Sequence, residues 1–398
     1  MSDYYMPQEL LIDILTRLPA ETLLRSTLVC KSWYSLITCP SFISHHLNRT
    51  ISNPNNTRLL LRYCTEEPNE REHYSVRCDD PINNTFNEHA KFKFPFHCID
   101  PYYWIVGSCN GLICISDDQF YYKHTTFLWN PMIRKSVLIP NPNIRFTSHG
   151  PFTHSLGFGF DSASNDFKVV RIVHLLWECD TVPPEVEIYT LKTGIWRSLS
   201  DKALPFIIED QSQQAYINGV SHWVAHTPRD VGLFRNLIVS FDMKDEVFRE
   251  VSFPDGIAGR DEVLQTTSLV VFEETLCLIQ HCQYQNDSHC WIWVMKEYGV
   301  VASWVRQFRF DLHGVLRKPI GMRKNGDVLL ATSEGYLVSY DPESKGIVNL
   351  GVSGTIKCQY WHSFYVDTYM ESLVLLDKGA DFCDTVIINL LCEESEGD

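Results

Sequence analysis

A short helical module followed by a mainly-β body of six four-stranded blades is the architecture that this 398-residue sequence predicts. Three observations predict it. Residues 6–47 contain no glycine and carry apolar residues at helical spacing. From about residue 100 onwards a hairpin of apolar strand, polar turn and apolar strand recurs about every 50 residues. Aromatic residues make up 13% of the chain, a share that favours strands over helices.

The helical module is read first. Pro7 suits a first helical turn, where its missing N–H costs little. Leu10, Leu11, Ile14, Leu15 and Leu18 then follow the i, i+3/i+4, i+7/i+8 spacing of one helix face. Pro19 breaks that helix. A second spans Glu21–Leu28 with Leu23, Leu24 and Leu28, and a third carries Val29, Trp33, Leu36 and Ile37 and ends near Pro40. Forty residues bury too little apolar surface to be comfortably stable alone. The apolar stripes therefore need two clients, each other and a partner protein.

The blades come next. Hairpins turn at Asn110-Gly111, Asn165-Asp166, Asn218-Gly219, Glu273-Glu274, Asn325-Gly326 and Met370-Glu371, so the turns recur 55, 53, 55, 52 and 45 residues apart. Asn-Gly between apolar runs is the strongest short-range hairpin signal. A second hairpin lies between successive turns: Thr126–Pro140, Val186–Leu199, Ile238–Pro254, Trp291–Phe310 and Tyr336–Leu350. Two hairpins per period make four strands, the signature of a propeller blade. The last blade, Phe364–Leu376 and Thr385–Leu391, lacks a strong fourth strand, and Arg58–Tyr63 is apolar enough to supply it by pairing with Thr385–Leu391. Such closure removes exposed edges. Glu66–Lys93, rich in acids and Asn, reads as a linker or a loop on one face. The expected boundaries are 1–46 for the helical module, 47–57 for a hinge, 58–392 for the propeller and 393–398 for an acidic tail.

Residues 6–42 also resemble a known family. Met6-Pro7-Gln8-Glu9-Leu10-Leu11-Ile12-Asp13-Ile14-Leu15-Thr16-Arg17-Leu18-Pro19, then Leu23-Leu24-Arg25, Val29-Cys30-Lys31-Ser32-Trp33 and Pro40-Ser41-Phe42 resemble an F-box, with Met6 where the family has Leu. The resemblance implies that Pro7, Leu10, Leu11, Ile14, Leu15, Leu18, Pro19, Leu23, Leu24, Val29, Cys30 and Trp33 dock on a Skp-family adaptor. That adaptor links to a cullin–RING ubiquitin ligase. In the body, Gly107–Cys114, Trp129-Asn130-Pro131 and Gly157-Phe158-Gly159-Phe160-Asp161 are similar to plant F-box-associated domains, which are kelch-like propellers. Ile292–Met295 and Tyr369–Leu376 are similar to S-locus F-box and S-locus F-box-like proteins. The resemblance implies a substrate receptor of an SCF-type (Skp–cullin–F-box) ligase that sends its target to the proteasome, with a pistil S-ribonuclease in self-incompatibility as the target class. Within that class the alternative target is a defence or hormone component.

Charge supports a protein target. The chain carries 34 Lys+Arg against 49 Asp+Glu, a net −15, which disfavours binding to nucleic acid or anionic membranes and favours a basic partner. Residues 1–46 hold 3 − 4 = −1 of this, so the acidity lies on the body.

Motifs for catalysis fail one by one. The sequence has no Gly-x-x-x-x-Gly-Lys-Ser/Thr loop, no His-Glu-x-x-His and no Gly-x-Ser-x-Gly. Gly157-Phe158-Gly159 leads into a strand and not a helix, which excludes a dinucleotide site. The pairs His281-Cys282 and His289-Cys290 offer metal donors but read as strand-end residues, so no cofactor or metal is expected. In the F-box family the transfer chemistry belongs to the RING and conjugating enzymes, which again implies a receptor without an active site. A glycan-binding or galactose-oxidase-like propeller is the alternative from another class, since Tyr102-Tyr103-Trp104 and Tyr121-Tyr122 offer rings for sugar stacking. Met1–Tyr5 has neither a basic start nor an apolar run behind it, so the expected compartment is the cytosol, with the nucleus as a second. The 14 cysteines then read as reduced thiols.

Overall fold

A computed structural model describes residues 7–53, 57–65, 71–80, 82–95, 103–117, 125–176, 183–208, 212–228, 235–257, 264–272, 274–284, 287–311, 316–355 and 364–377. Four helices open it: α1 (Gln8–Leu15), α2 (Ala20–Ser26), α3 (Lys31–Ile37) and α4 (Pro40–Ile51). Prolines set their starts. Pro7 and Pro19 immediately precede α1 and α2, and Pro40 is the first residue of α4. The expected end near Pro40 is thus the start of a fourth helix. Its buried face, Phe42, Ile43, His46 and Leu47, carries helix through Ile51 into the stretch read as a hinge.

The strands then form six antiparallel sheets. β1 (Arg58–Thr65), β2 (Arg71–Asp80) and β3 (Thr85–Phe92) belong to the first. The second holds β4 (Trp104–Cys109), β5 (Leu112–Ser116), β6 (Thr126–Asn130) and β7 (Lys135–Ile139). A one-turn helix, α5 (Phe146–His149), leads to β8 (Phe152–Asp161), β9 (Asp166–Leu175), β10 (Glu185–Thr190) and β11 (Ile195–Ser198). In the fourth sheet the inner strand is split into β12 (Ile207–Ile208) and β13 (Ala215–Ile217), both paired to β14 (Val220–His226), with β15 (Asn236–Asp242) and β16 (Val247–Ser252) outside. The fifth comprises β17 (Leu264–Phe272), β18 (Thr275–Tyr284), β19 (Asp287–Met295) and β20 (Trp304–Asp311). The sixth comprises β21 (Leu316–Met322), β22 (Val328–Thr332), β23 (Tyr336–Tyr340) and β24 (Ile347–Ser353). β25 (Phe364–Tyr369) returns to the first sheet and pairs with β1.

Innermost strands touch in sequence around a closed circuit, β25 to β4, β8, the β13/β14 pair, β17, β21 and back to β25. The molecule is a six-bladed propeller. Its hairpin turns use the predicted residues, with Asn110 (φ +50°) and Gly111 (φ +85°), Asn165 (φ +53°), and Asn218 (φ +52°) and Gly219 (φ +81°) in the left-handed region. Gly157 and Gly159 serve packing between blades. A Cβ on Gly157 would collide with the Trp223 ring, and one on Gly159 with the Tyr216 ring. Their strand is also stitched to the next blade by Gln214, whose amide donates to and accepts from the Phe158 backbone, both at 2.9 Å.

Three expectations are corrected. Arg58–Tyr63 does join the two ends of the ring, but its partner is Phe364–Tyr369, in register Arg58↔Tyr369 to Tyr63↔Phe364. Thr385–Leu391 lies outside the described residues. Phe364–Leu376 is not a hairpin: after β25 the chain turns away, and Asn130 Nδ2 fixes it by donating to Ser372 O at 3.0 Å and Val374 O at 2.9 Å. Glu66–Lys93 is mostly strand, because β2 and β3 are the outer half of a blade. Tyr74 and Val76 point inward there, while acids between them are paired, as Glu88 is to Arg77 at 3.0 Å.

Candidate functional site

The helices meet the propeller through one apolar cluster. Leu15, Ala20, Leu23, Ile37, Phe42, Ile43 and Leu47 bury with residues of the second and third blades, including Val106, Leu112, Phe158 and Phe167, and with Leu373, Val374 and Leu375. Asn165 at a blade turn donates to Ser44 Oγ of α4 at 3.0 Å. The module is therefore docked, and docking sorts the twelve predicted adaptor residues.

Pro7, Leu10, Ile14, Pro19, Val29 and Cys30 are exposed, and Leu11, Leu18, Leu24 and Trp33 are half-buried. Leu15 and Leu23 are fully buried in the apolar cluster that the helices share with the propeller. Leu10 keeps 56% of its surface exposed, Ile14 48% and Val29 64%. Leu28 (87%) and Tyr34 (57%) join them and were missed as site residues. The signal for Leu28 was present: Leu28-Val29-Cys30 is an apolar run inside a turn, where polar residues are the norm. Ion pairs Asp13–Arg17 (2.7 Å) and Glu21–Arg25 (2.6 Å) flank this surface. Single exposed apolar residues are ordinary, but five large ones on a module of about 45 residues make a candidate docking surface.

A second pole follows from the topology. The β4–β5, β6–β7 and β8–β9 turns face the helices or the Ser372–Val374 segment beneath them, as Gly111, Asn130 and Asn165 show. Antiparallel strands alternate ends. The ends of β5, β9 and β14 and the starts of β6, β10 and β15 therefore lie at the opposite face; residues 118–124, 177–182 and 229–234 lie outside the described residues.

The remaining chemistry is structural. In the β18–β19 ladder His281 stands opposite Cys290 and Cys282 opposite His289. Successive strand side chains alternate faces, so the two pairs do not converge. Among the described residues no group of three His, Cys, Asp or Glu side chains is placed to hold a metal ion. Burial pushes the Cys109 and Cys290 thiols up to about 12, the opposite of what a nucleophile requires. Tyr103 and Trp104 do not form a sugar platform. Both are buried, Tyr103 edge-on to Phe94 with ring centroids 5.0 Å apart; Tyr102, Tyr121 and Tyr122 lie outside the described residues. Cys30, Cys39, Cys78, Cys109, Cys114 and Cys290 are free thiols, and no described helix is long and apolar enough to cross a membrane.

Comparison with known proteins gives the same division of the chain. Residues 4–50 match the F-box-like family model, and residues 69–376 match that of the F-box associated beta propeller domain. Among curated relatives from Arabidopsis thaliana, F-box protein CPR1 is 30% identical over 94% of this chain and 90% of its own length. F-box protein At3g07870 is 28% identical, covering 85% of each. F-box/kelch-repeat protein At3g23880 is 30% identical over 76% of this chain and 79% of its own.

Proposed function

We propose a function from one premise: this chain belongs to the F-box proteins that carry an F-box-associated β-propeller domain. That architecture is typical of non-catalytic SCF substrate receptors. In our reading the chain is such a receptor. It docks a Skp-family adaptor, and through it a cullin–RING ligase, by Leu10, Ile14, Leu28, Val29 and Tyr34. It holds a target protein on the opposite face of the propeller for ubiquitination and proteasomal degradation. The observation that carries this is the exposed apolar surface left over once the helices have buried their other side against the body. A net charge of −15 supports a basic target, and a pistil S-ribonuclease in self-incompatibility fits that chemistry. We place the protein in the cytosol and the nucleus.

The test uses the full chain and a purified plant Skp-family adaptor. Val29→Asp puts a charge on the exposed surface, so adaptor binding should fall at least tenfold while the thermal midpoint stays where it was. Unchanged binding in both Val29→Asp and Leu10→Asp would refute the assignment. Target capture from pistil extract should weaken steeply between low and high salt; capture indifferent to salt would remove the electrostatic part alone.

A further inference from the structure

Where the α1–α2 turn, α4 and β1 meet, a cavity of about 490 Å³ opens at the seam between helices and propeller. Three guanidinium groups from three separate elements line it: Arg17 after α1, Arg49 on α4 and Arg58 at the start of β1. Glu371 is the one carboxylate among its described lining residues. Arg17 and Arg49 share a second acid, Asp13, at 2.7 and 3.7 Å. Arg58 Nη1 lies 3.9 Å from Glu371 Oε1, too far for a hydrogen bond, and is buried without a hydrogen-bond partner. Three cations against two carboxylates leave +1 at this seam, in a chain whose total is −15.

His46 supplies an independent sign. Its side chain lines the cavity and the residue is 3% exposed. Nε2 faces the Leu18 carbonyl at 3.0 Å. A carbonyl only accepts, so Nε2 carries the proton and Nδ1 is left buried with no partner. Buried nitrogens without partners are costly: here Arg58 Nη1 lacks an acceptor, which a phosphate oxygen supplies, and His46 Nδ1 lacks a donor, which a hydroxyl of the same ligand supplies.

We propose that this cavity binds a small soluble phosphate ester, which ties the helical module to the strand that closes the ring. Arginine forks match phosphate oxygens two at a time, and the volume falls within the range of small-molecule sites. Thr16, Thr50 and Asn53 add polar groups for the hydroxyls of the ester. Bound there, the ligand bridges the element that carries the adaptor surface and β1, the strand paired to β25. It would fix the orientation of the adaptor relative to the target face. The site borders the adaptor surface, since Leu18, Pro19 and Arg17 line it, but the test of it needs neither partner.

The experiment is thermal unfolding of the full chain titrated with inorganic phosphate, pyrophosphate, glycerol phosphate or citrate at matched ionic strength. Phosphate compounds should raise the midpoint by roughly 3 °C or more at saturation. The rise should vanish in Arg49→Glu and persist in Arg306→Glu, which alters the outer strand β20 instead. Arg17→Gln, on a different element, gives the same readout should Arg49→Glu fail to fold. No rise, or an equal rise in the cavity variants, overturns the site. A rise with citrate as large as that with pyrophosphate overturns the phosphate assignment. Flotation with vesicles containing phosphatidic acid separates the two sources of the group. Protein that stays unbound supports the soluble ester, and flotation lost in Arg49→Glu overturns it in favour of a lipid headgroup.

Discussion

His222 shows how completely single side chains are spent on holding blades together. It is buried on β14, with Nδ1 3.1 Å from the Ala215 carbonyl and Nε2 3.1 Å from the Tyr298 hydroxyl of the next blade. The carbonyl fixes the proton on Nδ1, so Nε2 accepts from the tyrosine, and the ring functions only as the neutral tautomer. Burial holds its pKa down to about 4, and His174 behaves likewise at about 4. The folded pKa lies below the unfolded value of about 6.5. Each histidine's stabilisation is therefore fully present above about pH 6.5 and is lost as pH falls towards 4. The difference amounts to about 3 kcal/mol per histidine. Replacing His222 by Gln removes one of these titrations. Urea midpoints of the variant should fall less steeply than wild type between pH 6.5 and 4, and parallel curves would show that His222 does not drive the acid sensitivity.

Among the elements, the seam where the ring closes carries the most concentrated polar clamp. Arg323, fully buried after β21, donates Nε to Asp79 Oδ1 at 2.9 Å, Nη1 to Asn84 Oδ1 at 2.6 Å and Nη2 to the Thr85 carbonyl at 3.1 Å. It joins the sixth blade to β2 and β3 of the first. Arg323→Met strands Asp79 as a buried, unpaired charge and should cost roughly 3–5 kcal/mol in chemical denaturation. The double variant Arg323→Met/Asp79→Leu removes that stranded charge and should recover part of the loss, because Asp327, 3.7 Å from Nη1, still loses its cation. A double variant no better than the single would show that packing, and not the ion pair, holds the seam. This seam was also the least legible part of the sequence. Five blades could be read because apolar alternation ends at residues that tolerate positive φ, as at Asn110-Gly111 and Asn218-Gly219. The first blade hid its strands because β3 faces water and β2 carries charged side chains, Glu72 and Arg77, that are covered only once they find partners. Met370–Leu376 imitated a strand because Leu373, Val374 and Leu375 are apolar, yet Leu375 sits at φ +77° and the three side chains pack under the helices. Pro40 reads equally as a helix stop or a helix start, and only the apolar face of α4 against the body decides between them. The docking surface was half legible for a related reason. A helix apolar on two sides reveals that it has two clients, but the side taken by the propeller is fixed by tertiary contacts.

At the scale of the molecule, the helical module and the propeller share one core, and this governs how the two proposed functional poles can be separated by experiment. Leu15, Leu23, Phe42, Ile43 and Leu47 cover apolar side chains of two blades together with Leu373–Leu375. Deleting residues 1–46 removes four of those five and part of α4, and uncovers the propeller's half of the cluster to water. At about 25 cal/mol per Å² such exposure takes away part of the narrow margin by which domains are usually folded. We therefore expect the truncated protein to unfold well below the full chain and to bind a hydrophobic dye at temperatures where the full chain does not. Proteins that it captured would reflect the exposed cluster as much as any target face. The informative comparison is full chain against Val29→Asp, which leaves the shared core untouched while charging the surface that faces the adaptor. Targets should be retained by both forms and ligase subunits by the unaltered one alone. A truncated protein that melted with the full chain would mean that the helices contribute nothing to the body, and the single-core description would fail with it.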